Sequence, residues 1–257
     1  MPYDLSQATQ QAMPFTVDGI TLSGVLHLPQ CQPSAAIIGC HGLLSDGNSP
    51  KQIDLAKRCA ACGMAYFRFD HRGCGRSQGD FGKDTTLENR SRDLLAAVDA
   101  VKVSLGRTIP IGLFGSSLGG TVCLSTANRI VPFAVVTLAA PCCRRSIRFP
   151  DNAPPALTSE ILSGGLAFDI TGVISTIDHI LVIHGSRDET VPLKNANLIF
   201  DHATPPKRLI VLEGGDHRIT DTDHQRYYMR EAADWFVRCR QGRFSIDEAV
   251  CKKVFPP

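Results

Sequence analysis

Ser117, Asp188 and His217 are three side chains whose types and order suit acyl-transfer chemistry. Ser117 is the middle residue of Gly115-Ser116-Ser117-Leu118-Gly119, a G-x-S-x-G pattern directly after the apolar run Ile109 to Phe114. Glycines on both sides let a strand turn sharply into a helix while the hydroxyl stays exposed. A serine hydroxyl is a weak nucleophile at neutral pH. It needs a histidine to take its proton, and that histidine needs an acid to fix its tautomer and steady the imidazolium. Without such partners, Ser117 would be no more than a serine starting a helix.

His217 is the leading base. It lies in Glu213-Gly214-Gly215-Asp216-His217-Arg218, after the last expected strand, and it follows the acid in chain order. Of the other histidines, His184 falls within strand residues, His41 belongs to a different loop, and His27, His71, His179, His202 and His224 lack the setting. Asp188 is the leading acid because it sits in the loop after the buried run Leu181-Val182-Ile183-His184. The following Glu189-Thr190-Val191-Pro192 reads as a helix entrance, so capping that helix is the alternative role for Asp188. Glu189 and Asp216 are the reserve acids. Ser116 is the weaker nucleophile candidate.

Acyl transfer also needs N–H donors aimed at the developing oxyanion. Leu118 offers one by following the nucleophile. The loop Cys40-His41-Gly42-Leu43-Leu44 offers the second, with Gly42 allowing a tight turn and the Leu43 N–H facing the site. His41 is left with a structural role beside it. No metal or organic cofactor is required by this chemistry.

These residues need a scaffold that brings loops together at one edge. Strand and helix patterns alternate through most of the chain, which predicts a mostly parallel sheet with helices on both faces. Asp18-Gly19, between Phe15–Val17 and Ile20–Pro29, predicts a hairpin and an antiparallel beginning to the sheet. Buried strands are expected at 35–40, 65–70, 109–114, 133–140, 180–184 and 208–212. Helices are expected near 51–63, 87–104, 118–130, 193–202 and 223–240. Residues 142–178, with Pro150, Pro154, Pro155 and Gly164-Gly165, read as a small lid insertion rather than a crossover helix. The tail after Gly242 reads as a further short element. One domain over 1–257 is expected, since 257 residues with 43% hydrophobic content can bury a large core.

Composition narrows the function. The net charge is +2 with basic residues dispersed, which argues against a nucleic-acid partner. No apolar run approaches the length of a membrane span. The opening Met1 to Gln7 is polar and does not read as a secretory signal. Ten cysteines fit a reducing cytoplasm, where they act as small hydrophobes and need form no disulfides. Cys59-Ala60-Ala61-Cys62 matches C-x-x-C but lacks a second ligand pair, so helix packing is the expected role.

Together His41-Gly42, Asp70-His71-Arg72-Gly73-Cys74-Gly75-Arg76-Ser77, the elbow at Ser117, Asp188 and His217 resemble the α/β-hydrolase superfamily. The resemblance runs from Asp18-Gly19 to the helix containing Trp235. Within the superfamily the chain is similar to compact esterases of the cinnamoyl/feruloyl type and to serine aminopeptidase-like hydrolases. Gly79-Asp80-Phe81 before a long helix, and the short insertion before the acid strand, carry that comparison. It implies a serine esterase acting on small to medium acyl groups, with a small-molecule ester as substrate. Aminopeptidase-like or thioesterase activity on the same triad is the alternative, and a non-catalytic binding protein the more distant one. Those esterases tend to hold a phenolic acid with polar and aromatic lid residues, whereas 142–178 contains no Tyr or Trp. Arg144, Arg145 and Arg148 in that segment are expected to form a solvated basic face. The stretch from Arg72 to Ser77 lacks a Walker lysine and is expected to be a structural turn.

Overall fold

Runs such as Ala36–Cys40, Ala134–Leu138 and Ile180–Gly185 are apolar on both sides of the strand, as a sheet covered on both faces demands. The computed structural model describes residues 8–148, 166–243 and 250–256 and bears this out. The strands are β1 (Thr9–Ala12), β2 (Phe15–Val17), β3 (Ile20–Leu22), β4 (Gly24–Leu28), β5 (Ala36–Cys40) and β6 (Ala65–Phe69). They continue with β7 (Ile111–Ser116), β8 (Ala134–Leu138), β9 (Ile180–Gly185), β10 (Lys207–Leu212) and β11 (Val250–Phe255). The main sheet has the order β1-β4-β6-β5-β7-β8-β9-β10-β11. β4 runs antiparallel to both its neighbours, β1 and β6; every pairing from β6 to β11 is parallel.

The helices are α1 (Pro50–Ala61), α2 (Phe81–Asp84), α3 (Leu87–Leu105), α4 (Leu118–Ile130), α5 (Lys194–His202) and α6 (Thr222–Gln241). Alternate strand residues divide between two cores. Ile38, Val135, Val182 and Leu209 pack with Leu94 and Val98 of α3, Val122 of α4 and Ile199 of α5. Ile37, Val136, Ile183 and Ile210 pack with Leu55 of α1 and Tyr228 and Phe236 of α6. The period of two thus sends successive side chains to opposite helical layers. Cys59 belongs to the second core. Among the described residues no helix is long and apolar enough to cross a membrane.

Helix ends follow local chemistry. Thr86 caps α3 by accepting from Asn89 N–H at 3.0 Å, and Asp221 caps α6 by accepting from Asp223 and His224 N–H at 2.9 and 2.8 Å. Gly242 ends α6 at φ +62°.

Two features depart from the sequence expectation at the beginning of the chain. The Asp18-Gly19 turn does join a hairpin, but β2 and β3 form their own two-stranded sheet. The stretch Ile20–Pro29 is also two strands, because Ser23 is diverted: its N–H donates to Ser77 Oγ at 2.9 Å and its carbonyl accepts from Asp70 N–H at 2.9 Å. The antiparallel start of the main sheet comes instead from β1 and β4. The tail element is β11, which adds a parallel strand beside β10.

Much of the expected insertion, 149–165, lies outside the described residues. Its described ends are tied together: Cys143 bridges Asp169, Arg144 N–H donates to Phe168 O at 2.9 Å, and Ile170 N–H donates to Cys142 O at 2.9 Å. Arg145 and Arg148 are exposed.

A buried histidine links the fold to pH. His27 on β4 accepts from Arg68 Nε at 2.8 Å, and burial, aided by the Arg68 charge, lowers its pKa from 6.5 to about 4. Between these values the unfolded chain binds the extra proton, so the stability that depends on neutral His27 is fully present above pH 6.5 and declines as pH falls toward about 4. Thermal melting across this window should show a declining midpoint. His27→Gln, which cannot take up the proton, should decline less steeply; equal slopes would exclude His27 as a source.

Candidate active site

Three loops at the carboxyl ends of β7, β9 and β10 carry the candidate residues, the edge where ligands of open parallel sheets bind. Ser117 sits between β7 and α4 at φ +52° and ψ −125°, a conformation that costs a non-glycine residue about 1–3 kcal/mol. The flanking glycines explain how the turn closes. A Cβ at Gly115 would come within 2.5 Å of Gly120 backbone atoms, and one at Gly119 would overlap the Cys40 carbonyl oxygen. Only hydrogen fits at either position, so α4 starts flush against β7 and the end of β5. Ser116 is the last residue of β7.

His217 Nε2 lies 3.1 Å from Ser117 Oγ, and its Nδ1 lies 2.8 Å from Asp188 Oδ2. Ser117, His217 and Asp188 are therefore brought together in one hydrogen-bonded line. With Nδ1–H donating to the carboxylate, Nε2 is left to accept the serine proton. The Asp188 side chain is fully buried and that of His217 is 21% exposed. Burial alone would raise the Asp188 pKa. Hydrogen bonds from His184 and His217, the charge of His217 and the Val191 N–H outweigh it and hold the pKa down to about 2. Asp188 Oδ1 accepts from the N–H groups of Thr190 and Val191 at 3.0 and 2.7 Å; these precede α5, whose N-cap is Leu193 without a side-chain bond, so Asp188 orders its own loop rather than capping that helix.

The reserve acids are elsewhere. Asp216 binds Thr220 through its N–H at 2.8 Å and its hydroxyl at 2.9 Å, and Glu189 is exposed. The acid and base loops are stapled to each other by Arg187 N–H to Gly215 O at 2.9 Å and Gly214 N–H to Ser186 Oγ at 2.8 Å.

The loop after β5 reaches the serine. A Cβ on Gly42 would stand 3.4 Å from both Ser117 Cβ and Ser116 O. Neither Leu43 N–H nor Leu118 N–H has a hydrogen-bond acceptor among the described residues. The side chains of Leu43 and Leu118 join Leu166, Phe168 and Phe81 in a small apolar cluster, which meets the first core at Phe168. His41 holds the loop internally. Its Nδ1–H donates to Gly42 O at 2.7 Å and its Nε2 accepts from His71 N–H at 3.0 Å. Burial, with the His71 and Arg90 charges, keeps the His41 pKa well below the usual value, so the ring stays neutral.

The Asp70–Ser77 stretch is a turn bound to its own surroundings. Asp70 accepts from Gly47 and Arg76 N–H at 2.7 and 2.9 Å, and Arg72 Nε donates to Asp93 Oδ1 at 2.8 Å.

Sequence reasoning set aside His184, yet its Nε2 is 3.2 Å from Asp188 Oδ2 and 2.7 Å from Val191 O, with the side chain wholly buried. A histidine on an otherwise apolar buried strand must find a polar partner, and Asp188 four residues on was within reach.

The family described as "Serine aminopeptidase, S33" matches residues 31–164, a span that includes Ser117 and the loop after β5. A protein of Escherichia coli K12, YfhR, is 27% identical over 243 residues, covering 88% of this chain and 80% of that one. The mouse mitochondrial palmitoyl-protein thioesterase ABHD10 is 24% identical over 212 residues, covering 72% of this chain and 69% of its own length. Among solved structures, Est1E from Butyrivibrio proteoclasticus with ferulic acid bound superposes with a TM-score of 0.77 at 22% identity, covering 90% of this chain and 100% of that one. The Pyrococcus furiosus esterase PF2001 gives a TM-score of 0.77 at 20% identity, with 93% of each chain covered. Both likenesses are of fold. With a doubly covered, mostly parallel sheet and a family match over more than half its length, the chain belongs to the serine aminopeptidase, S33, family of hydrolases and has the α/β-hydrolase fold.

Proposed function

We propose that the protein is a serine esterase that cleaves carboxylic esters of small to medium acyl groups through an acyl-enzyme. The observation that carries this reading is the hydrogen-bonded line from Ser117 Oγ through His217 to Asp188. Ser117 Oγ attacks the ester carbonyl carbon as His217 Nε2 takes its proton. The oxygen of the tetrahedral intermediate is received by the Leu43 and Leu118 N–H groups. His217 then gives the proton to the departing alkoxide, releasing the alcohol. Water, deprotonated by His217, attacks the acyl-serine, and collapse of the second intermediate returns Ser117 Oγ–H and frees the carboxylic acid. Asp188 stays ionised throughout. The apolar cluster of Leu43, Leu118, Leu166, Phe168 and Phe81 favours an uncharged acyl chain beside the serine. No step calls for a cofactor.

Thioester cleavage is the second reading, favoured by the similarity to a palmitoyl-protein thioesterase. The leaving group is not specified by fold or triad, so substrates must decide. Wild type and Ser117→Ala should be compared on p-nitrophenyl acetate and butyrate, butyrylthiocholine and an aminoacyl p-nitroanilide. Ester turnover that requires Ser117 and exceeds the other two is the expected result. Faster thioester cleavage would favour the second reading, and equal ester rates in both proteins would exclude the esterase. A fluorophosphonate probe should label Ser117 in the wild type alone.

A further inference from the structure

Arg90 of α3 is a large, fully buried side chain that forms no ion pair with a carboxylate among the described residues. Its guanidinium is directed at one loop. Nη1 donates to the carbonyl oxygens of His41 and Gly42, both at 3.4 Å, and Nη2 donates to the Leu43 carbonyl at 3.4 Å and to Cys74 Sγ at 3.5 Å. Three successive carbonyls thus converge on one cation. Removing a guanidinium from water is costly unless its donors find acceptors, so the loop and Arg90 hold each other in this arrangement.

A trans peptide unit is planar, and its C=O and N–H point in opposite directions. The Gly42 carbonyl and the Leu43 N–H belong to the same unit. That carbonyl is gripped twice, by Arg90 Nη1 and by His41 Nδ1–H at 2.7 Å, so the Leu43 N–H must point away from both. We propose that Arg90 is a positioning residue for the oxyanion hole: by holding the carbonyls of His41, Gly42 and Leu43 it fixes the peptide plane that turns the Leu43 N–H toward Ser117. Without the guanidinium, only the His41 Nδ1–H bond holds the plane while the His41 and Leu43 carbonyls lose their donor, so the plane flips more readily and the Gly42 carbonyl then faces the oxyanion with the wrong polarity.

This rests on the esterase reading of Ser117, and its effects belong to the transition state. Arg90→Met keeps length and bulk but removes the donors. On p-nitrophenyl butyrate it should lower kcat about 10²- to 10³-fold, the loss that follows from one missing oxyanion donor. KM should change less than about threefold, because the ground-state carbonyl draws little on the hole. Binding of an alkyl trifluoromethyl ketone, which forms a tetrahedral adduct with Ser117, should weaken in parallel with kcat/KM. A residue that only supports the fold would lower the melting temperature without that parallel. Arg90→Lys retains the charge but not the fork. It should lose about tenfold in kcat, with a matching loss in ketone affinity, and it supplies the test if Arg90→Met does not fold. A folded Arg90→Met or Arg90→Lys with wild-type kcat, or with reduced kcat and undiminished ketone affinity, overturns the assignment. A wild type without Ser117-dependent turnover overturns the esterase reading and the Arg90 role together. Ser117-dependent turnover that is indifferent to Arg90 overturns the Arg90 role alone.

Discussion

His217→Ala should lower kcat on p-nitrophenyl butyrate by about 10⁴- to 10⁶-fold, with a melting temperature close to that of the wild type. The size of the loss follows from the site's division of labour. Ser117 Oγ is 3.1 Å from one basic nitrogen, and no other histidine is hydrogen-bonded to it among the described residues. Without that nitrogen the attacking hydroxyl keeps its proton and the leaving group departs unprotonated. The fold should tolerate the change, since His217 is a partly exposed loop residue outside both main cores. Asp188 would not be stranded either, because His184 and the Thr190 and Val191 N–H groups remain on its oxygens. Steady-state rates alongside a thermal melt give the test. Activity above about a tenth of wild type in the folded variant would remove His217 from the role of base.

The second large effect is expected from Asp188→Asn, a loss of about 10⁴-fold in kcat. Here the surroundings dictate how the new amide sits. Oδ1 is fixed by two backbone donors, so the asparagine carbonyl must take that position and its NH₂ must replace Oδ2. The NH₂ then donates to His217 Nδ1, which forces the proton onto Nε2, the atom that should receive the serine proton. It also confronts the Nε2 of His184, now donor against donor, so some stability should be lost as well. With the Asp188 pKa held at about 2, the wild-type carboxylate stays ionised through any neutral assay, and raising the pH should not rescue the variant. The pH-rate profile checks this: recovery of more than about a tenth of wild-type kcat at any pH from 6 to 9 would contradict the tautomer explanation.

What the sequence disclosed, and what it withheld, follows from how each feature is encoded. The elbow was legible because its backbone demands glycine at fixed offsets around Ser117. Asp188 and His217 were legible because each follows a buried apolar run that ends at one sheet edge. His184 and Arg90 were hidden because their parts depend on what faces them across the fold, and no local spacing records that. The strands β1 and β11 were hidden for another reason. Thr9–Ala12 is exposed throughout, and Val250–Phe255 is mostly exposed, so each joins the sheet through backbone hydrogen bonds that leave little hydrophobic alternation to read. The break at Ser23 depends on Ser77 and Asp70, both more than forty residues away along the chain.

The bonds that join Cys142, Cys143 and Arg144 to Phe168, Asp169 and Ile170 have a meaning for how such a protein diversifies. They close the segment at its base, on backbone groups whose pairing does not depend on side-chain identity. Ser117 precedes that closure, and Asp188 and His217 follow it in the loops after β9 and β10. Sequence between the two anchors can therefore be lengthened, shortened or replaced as a cassette while Ser117, Asp188 and His217 keep their registration. Selection, or a protein engineer, can revise that stretch without rebuilding the sheet edge that holds the three side chains.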